Sequence, residues 1–405
     1  MQPIKSNYLA YIVVYFTINI MSIYLLLYFP LYFFDVLKVN RSALALTQLV
    51  SNSMLILAIF LGYFFDKYSQ KKKIFISFSG IIMFTSFLLF ILFRNILFWF
   101  GFFLSVSLIM MTIIKTGMSK LMFELVKSND VLKKNVILIS NVSSSFGAFI
   151  PTILFSLVVY DFYSFSLWNT FFLIGWIVSF PLLFTYLLIK ENNSKLIETQ
   201  TEVSLEKKDK RENSKAYSNN LLMILICISY FLFWSSYLFG YPLSSWITSN
   251  FGEDAFRIYS SFYVIFFLFN MSGFYIAKRI YKKGNEARII MLGILSIVCL
   301  FLVYPYVNFP VFFFLYSMDA LIYGMVVSNF LYIIIDISRR GKYENLKYQI
   351  MQSSSYLGNA IFTPIGIYLS CFFSTGFLMT ISAFLVLSSI VPLIIKEIPR
   401  YSVNY

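Results

Sequence analysis

The chain contains no histidine and only three cysteines, and charged residues make up 12% of its 405 residues. The absence of histidine removes the commonest metal ligand and the commonest proton shuttle near neutral pH. Cys227, Cys299 and Cys371 lie in three separate apolar runs, so we expect packing thiols rather than a disulfide or a metal site. The sequence therefore predicts no metal site and no cofactor, and it argues against a metalloenzyme.

Apolar residues dominate instead, since 59% of the chain is hydrophobic and its mean hydropathy is +0.78. No soluble fold of this size hides so much apolar surface, so the bilayer must be its solvent. Because lipid cannot satisfy open backbone groups, each spanning segment must be a helix. The sequence predicts an all-α polytopic membrane protein with twelve transmembrane helices. The predicted spans are 8–34, 43–65, 74–93, 97–126, 135–159, 165–189, 220–249, 255–277, 286–305, 310–336, 348–373 and 376–395.

Positive charge is concentrated on one side of this predicted bundle. With the N-terminus in the cytoplasm, the cytoplasmic segments carry 26 of the 32 Lys and Arg residues, and the outer loops carry four. This asymmetry follows the positive-inside rule, so we expect both termini in the cytoplasm and the protein in the plasma membrane. The net charge of +14 then reflects topology and contact with anionic membrane lipids, and we expect no binding of nucleic acid.

One charged and polar segment, 190–219, interrupts the apolar rhythm and cannot bury a core. We interpret it as a cytoplasmic linker between an N-terminal six-helix bundle, 1–189, and a C-terminal six-helix bundle, 220–405. The two bundles repeat each other at an offset of about 211 residues, and Glu124 corresponds to Asp336 at an offset of 212.

The repeat is clearest after the second and the eighth span. Gly62, Asp66 and a basic turn follow the second span, whereas Gly273 and a basic turn follow the eighth, where Ala277 replaces the acid. Internally repeated membrane bundles are typical of transporters whose site lies between the repeats. Only the first copy keeps the acid, so the two copies are expected to differ in function at this position.

The arrangement of six spans, a charged segment and six spans resembles the major facilitator superfamily over nearly the whole chain. Gly62, Asp66 and Lys71 match that family's loop motif, and Lys67 stands where the family usually has arginine. The resemblance implies that Asp66 contacts span 11 and holds the cytoplasmic side shut in one state. A glycine allows close helix approach, and an acid favours a helix N-terminus or a basic partner. The alternative is that Asp66 only lowers the net positive charge of a basic loop.

The resemblance also implies that spans 1, 4, 7 and 10 line a central cavity. Each of these spans carries polar residues at helical spacing. The candidate substrate or coupling residues are Asn19, Lys115, Tyr230, Trp234, Tyr237, Tyr316, Asp319 and Tyr323. Aromatic stripes at this spacing also pack helices together, and Lys115 either holds an anionic group or snorkels toward headgroups. Lys120 and Glu124 are one helical turn apart and are predicted to form a local pair.

Asp319 differs from the other candidates because it is an acid near the middle of a predicted span. It lies ~14 Å from the outer end of span 10 at 1.5 Å per residue. An ionised carboxylate there costs roughly 3 kcal/mol, so we expect it to face water, a cation or a hydrogen-bonding partner. Two roles remain open: a proton carrier, or a structural acid that is bonded to a neighbouring Tyr or Ser.

The resulting prediction is a secondary active transporter that moves a small organic solute by alternating access, with protons as a candidate coupling ion. No nucleotide-binding P-loop is present in the sequence, so ATP is not expected as the direct energy source. We expect a monomer without enzymatic activity. The alternatives are a sensor or scaffold that keeps the fold without transport, and a polytopic membrane enzyme. The cargo, the direction of transport and the coupling ion are not specified by the sequence.

Overall fold

The computed structural model describes most of the chain, and the described residues are 2–39, 49–50, 53–126, 130–161, 163–189, 212–240, 243, 246, 255–340 and 342–401. Among these residues the secondary structure is helical, without a strand, which confirms the all-α fold class. Helix occupies all or part of each range that the sequence predicts as a span.

Twelve of the helices within the described residues are numbered in chain order. Those of the first half are α1 Gln2–Ile23, α2 Ala58–Lys67, α3 Lys72–Leu92, α4 Leu97–Val126, α5 Asp130–Val158 and α6 Phe165–Val178. Those of the second half are α7 Glu212–Phe233, α8 Ala255–Ile280, α9 Glu286–Val303, α10 Phe309–Ser338, α11 Glu344–Leu369 and α12 Thr375–Ser388. Short helical turns extend several of them: Tyr24–Tyr28, Phe29–Leu31 and Tyr32–Val36 after α1, Met54–Leu57 before α2, Phe180–Phe184 and Thr185–Leu188 after α6, and Trp234–Leu238 after α7. A further helix of 12 residues, Ile390–Tyr401, follows α12.

Eight helices among the described residues are long and apolar enough to cross a membrane. The predicted spans without a counterpart among these eight are 43–65, 220–249, 255–277 and 348–373. Parts of the first two, and several side chains of the third, lie outside the described residues. The fourth corresponds to α11, whose 26 residues reach about 39 Å, more than the ~30 Å hydrocarbon core. This helix is less apolar because it buries Gln349 and Gln352 inside the protein.

Local sequence explains where individual helices begin. The Asn308 side chain accepts a hydrogen bond of 3.2 Å from the backbone N–H of Val311 and caps α10, and a proline follows within the first turn. Ser374 caps α12 in the same way through the backbone N–H of Phe377. In the predicted linker 190–219, residues 190–211 lie outside the described residues, whereas 212–219 form the first turns of α7.

The buried hydrophobic residues of the described part of the chain form two clusters. The first is built mainly from helices of the first half and includes the fully buried Trp168, and the second is built mainly from helices of the second half and includes Phe330. Tyr281, Tyr332 and Ile335 belong to the second half but pack into the first cluster. The two halves therefore share core packing at the end of the bundle where α2, α4, α8 and α10 finish, which we call the motif end.

Candidate functional site

The Asp66 carboxylate lies at the motif end, in the last turn of α2, and its side chain is only 5% exposed. One oxygen accepts hydrogen bonds from Lys120 Nζ at 2.8 Å and from the backbone N–H of Asn345 at 3.3 Å. The other accepts from the backbone N–H of Leu346 at 2.9 Å. Asn345 and Leu346 are in the first turn of α11, where backbone N–H groups have no helical partner and carry partial positive charge. Asp66 of the first half therefore occupies the N-terminus of a helix of the second half.

Gly62 lies one turn before Asp66 and faces the same helix. A Cβ at this position would lie 3.0 Å from Leu346 Cα, 3.0 Å from Gln349 Cγ and 3.1 Å from Asn345 O. Two of these atoms belong to the backbone, which cannot rotate away. The missing side chain thus sets how closely α2 and α11 approach, and the approach brings Asp66 within hydrogen-bonding distance of the α11 N–H groups.

A buried hydrogen-bond network that the sequence analysis missed continues this contact between α4 and α11. Ser119 Oγ donates to Asn345 Oδ1 at 2.6 Å and accepts from Gln349 Nε2 at 2.7 Å. Asn345 Nδ2 also donates to the backbone oxygen of Thr116 at 3.2 Å. The available signal was two amide side chains one turn apart, Asn345 and Gln349, at the start of an otherwise apolar span.

The two lysines of the predicted gating motif have a different environment. Lys67 and Lys71 are exposed, and their ammonium groups lie 5.4 Å and 5.9 Å from the centroid of the Tyr68 ring. The described contacts of these two lysines remain within the first half, whereas those of Gly62 and Asp66 reach the second half.

The predicted local pair of Lys120 with Glu124 is wrong. Lys120 instead bonds to Asp66, and Glu124 forms an ion pair with Lys72 of α3. One helical turn on α4 separates the two residues, but neighbouring helices offer each a closer partner of opposite charge. Both ion pairs join helices of the first half.

Glu344 is the first residue of α11 and precedes the predicted span 348–373. Burial raises the pKa of its carboxyl group above the ordinary value of 4.5, and the nearby positive charges of Lys120 and Arg339 partly offset this effect. Burial therefore disfavours the charged form of this carboxyl group.

Asp319 is buried in α10 and is 6% exposed. The Tyr304 hydroxyl, at the end of α9, interacts with its carboxylate. Its Oδ1 atom has no hydrogen-bond partner among the described residues. The Tyr316 ring, one turn earlier on α10, lies 6.5 Å from the Tyr304 ring and 5.9 Å from the Phe312 ring. The acid therefore meets the hydroxyl group of Tyr304, whose ring belongs to this aromatic group, and keeps one oxygen without a hydrogen-bond partner among the described residues.

The aromatic candidates of α7 and α10 come together in the second half. Trp234 lies 6.0 Å from Tyr230 and 6.2 Å from Tyr323, measured between ring centroids. Tyr316 contacts Phe266 of α8 at 5.6 Å. The side chain of Tyr237 lies outside the described residues.

Asn19 and Lys115 lie in the first half. The Asn19 side chain donates a hydrogen bond of 2.7 Å to the backbone oxygen of Tyr15. A Cβ added at Gly147 would lie 3.2 Å from the Cβ of Asn19. This contact places Asn19 where α1 packs on α5. No ion pair of Lys115, on α4, is found within the described part of the chain.

Comparison with known proteins agrees with this architecture. Residues 133–346 match the family model described as Major Facilitator Superfamily. No curated protein sequence gives a significant match. The crystal structure of the human organic anion transporter MFSD10 (TETRAN) is similar with a TM-score of 0.69 at 13% identity, covering 96% of this chain and 98% of that chain. The proton:xylose symporter XylE bound to 6-bromo-6-deoxy-D-glucose gives a TM-score of 0.68 at 13% identity, covering 96% and 95%.

At 13% identity the two structures establish a shared fold and nothing about cargo. The family match is the stronger finding, because it covers more than half of the 405 residues and runs from α5 to the start of α11. It confirms the resemblance that the loop motif and the span arrangement indicated. The chain therefore belongs to the major facilitator superfamily of membrane transporters.

Proposed function

We propose that the protein is a secondary active transporter that moves a small organic solute by alternating access between two six-helix bundles, residues 1–189 and 220–405. The observation that carries this proposal is the contact of Asp66 with the backbone N–H groups of Asn345 and Leu346. It joins the two halves at the motif end, so the motif end must lose this contact before it opens.

The strength of this contact suits a switch. Lys120 and Asp66 belong to the same half, so their ion pair remains in both conformations and cancels from the equilibrium. Of the contacts that Asp66 itself makes, only the two hydrogen bonds to α11 and the attraction of its N-terminus for a negative charge are lost on opening. Capping contributes about 1 kcal/mol and the helix dipole about 0.5 kcal/mol, together about a tenfold bias toward the closed motif end.

Cysteine accessibility tests the gate. The three native cysteines are replaced by alanine, and Ser328→Cys serves as the reporter, since Ser328 is 1% exposed and hydrogen-bonds across the halves to Asn141. Asp66→Ala should increase the rate of modification by a hydrophilic thiol reagent added at the motif end by about tenfold. Glu124→Gln is the matched control, because the Glu124 ion pair stays within one half. An unchanged rate in Asp66→Ala contradicts the gate.

The motif end is proposed to face the cytoplasm, with both chain termini on that side and the protein in the plasma membrane. The excess of Lys and Arg in the segments at this end supports the orientation. Reporter fusions at Lys38 and Lys207 should then report opposite sides of the membrane. Reports from the same side would refute the orientation without affecting the fold.

Asp319 is proposed to bind and release the coupling proton. Its buried carboxylate has an oxygen without a hydrogen-bond partner among the described residues, and burial of an ionised carboxylate at mid-membrane costs roughly 3 kcal/mol. Protonation removes that cost, so movement between dry and water-filled surroundings is linked to proton uptake and release. The candidates Tyr316, Tyr323, Tyr230, Trp234 and Lys115 would line the path of the solute.

Uptake into proteoliposomes tests the coupling. Asp319→Asn keeps the shape of the side chain but removes the titratable group, so proton-driven accumulation should be lost while exchange of solute without a gradient persists. Asp161→Asn, at an exposed acid, is the control. Accumulation that still follows the pH gradient in Asp319→Asn would eliminate the coupling role.

The cargo is best identified by thermal-shift screening of the purified protein, because a ligand that binds the folded state raises its apparent melting temperature. The library should include organic anions and sugars, the solutes named for the two structurally similar proteins. The neighbouring rings of Tyr304, Tyr316 and Phe312, two of which carry hydroxyl groups, favour a small amphipathic molecule over a highly charged one.

A further inference from the structure

A second contact between the halves lies at the motif end and involves Lys133 in the first turn of α5. Its side chain is 0% exposed. Its ammonium group donates to Asp336 Oδ1 of α10 at 2.7 Å and to the Tyr281 hydroxyl, just after α8, at 2.8 Å. The same group lies 5.0 Å from the centroid of the Tyr281 ring and 5.8 Å from that of Tyr332. A lysine of the first half is thus enclosed by an acid and two aromatic rings of the second half.

We propose that Lys133, Asp336, Tyr281 and Tyr332 form a second latch, which holds the motif end closed together with Asp66. This inference rests on the proposed alternating access and adds a residue set outside the recognised loop motif. The four residues are called the lysine box below.

The internal repeat supports a latch at this position. At an offset of 212 residues, Lys133 corresponds to Asn345, Tyr332 to Lys120 and Asp336 to Glu124. Asn345 and Lys120 are two of the residues that meet Asp66. The lysine box therefore occupies the position, in the other copy, that the Asp66 contact occupies in the first. Although Ala277 stands where the first copy has an acid, the second copy also has a contact between the halves at this position.

The dipole of α5 makes the stability of the Lys133 charge depend on whether the two halves are together. Lys133 lies at the N-terminus of α5, where the helix dipole disfavours a positive charge. The carboxylate of Asp336 offsets this repulsion only while the halves are together. Each half thereby supplies a carboxylate to the N-terminal region of a helix in the other half: Asp66 directly to backbone N–H groups, and Asp336 through Lys133.

Packing makes the box part of the closed state. Tyr281 and Tyr332 pack against each other with ring centroids 4.2 Å apart and ring planes tilted by 44°, and both belong to the hydrophobic cluster of the first half. Lys134 adds a hydrogen bond of 3.3 Å to the Tyr281 backbone oxygen and lies 4.6 Å from the ring centroid. Opening the motif end must therefore withdraw both tyrosines from that cluster as well as break the ion pair.

The test uses the Ser328→Cys reporter in three otherwise identical backgrounds. Lys133→Gln should raise the modification rate from the motif end by at least about fivefold, because it removes the ion pair and both cation–ring contacts. Lys72→Gln is the matched control, since Lys72 is also a buried lysine paired with an acid but within its own half. It should leave the rate unchanged. Asp66→Ala is the reference for the first latch.

The outcomes separate the two proposals. If Asp66→Ala raises the rate and Lys133→Gln does not, the lysine box is not a latch and the gate at Asp66 stands. If neither variant raises the modification rate, the proposal of alternating access through the motif end is refuted. Should Lys133→Gln fail to express, the exchanged pair Lys133→Asp with Asp336→Lys and the single variant Asp336→Asn replace it. A latch requires a raised rate in Asp336→Asn, and an unchanged rate there overturns the proposal.

Discussion

Gly62 offers the cleanest way to weaken the gate without touching its charges. Gly62→Ala adds one methyl group, and that Cβ would lie 3.0 Å from Leu346 Cα and 3.1 Å from Asn345 O on α11. These contacts exist only while the halves are together. Alanine is the better helix former by about 1 kcal/mol, but this gain applies to α2 in both conformations and cancels from the equilibrium.

The magnitude follows from the crowding. Overpacking by one carbon in a well-packed contact costs about 1–3 kcal/mol, and here the cost falls on the closed motif end alone. A value of about 1.4 kcal/mol is a tenfold change in the ratio of open to closed molecules. We therefore expect Gly62→Ala to raise the modification rate of the Ser328→Cys reporter by about tenfold, with an apparent melting temperature that stays the same or rises slightly.

Gly80→Ala provides the matched control. A Cβ at Gly80 would lie 2.6 Å from the backbone oxygen of Leu182, and both residues belong to the first half. Its strain is present in both conformations, so this variant should lower the apparent melting temperature and leave the reporter rate unchanged. The reasoning is refuted if Gly62→Ala leaves the reporter closed, or if the two variants accelerate modification equally.

Three further predictions use the same reporter. Gln349→Met keeps the side-chain volume but loses the hydrogen bond to Ser119, so the rate should rise about fivefold, less than in Asp66→Ala; a larger rise would contradict the ranking of the two contacts. Burial raises the pKa of Glu344 above 4.5, and we expect opening of the motif end to expose this carboxyl group and lower its pKa again. Protonation then favours the closed state, so the rate should increase as pH rises through the range just above 4.5. Glu344→Gln should abolish this dependence, and its persistence would exclude Glu344 as the cause. Asp66→Ala and Lys133→Gln share no contact partner, so their effects on the free energy of opening should add in the double variant, and strong non-additivity would show a single coupled contact.

Composition and spacing predicted the helical architecture because the bilayer leaves so few alternatives for an apolar chain. The resemblance to the family's loop motif indicated Gly62 and Asp66, and a glycine and an acid at the end of a helix have a specific physical use there. The choice of partners was not predictable in the same way. Lys120 lies one turn from Glu124 in the sequence, yet the structure joins it to Asp66 on α2.

The same limit applies to the residues that the sequence analysis assigned elsewhere or omitted. Lys133 was counted among the topology charges, and its enclosure by Tyr281 and Tyr332 depends on the relative position of three helices. Asn19 fitted a polar stripe toward a cavity, and the sequence did not indicate that its Cβ lies next to Gly147, where α1 packs on α5. Periodicity within one helix identifies a face, and only the packing of the neighbouring helices determines what that face meets.

Lys120 has a distinct role in the balance between the two conformations. When α11 moves away, Asp66 loses two hydrogen-bond donors but keeps the ammonium group of Lys120, which belongs to its own half. The carboxylate therefore never becomes an unpaired buried charge, whose cost would lock the motif end shut. In the lysine box, the Asp336 side chain is already 26% exposed, so water can solvate it on opening. The free-energy cost of opening is therefore limited at both latches. A transporter that visits two states in each cycle needs states of nearly equal free energy.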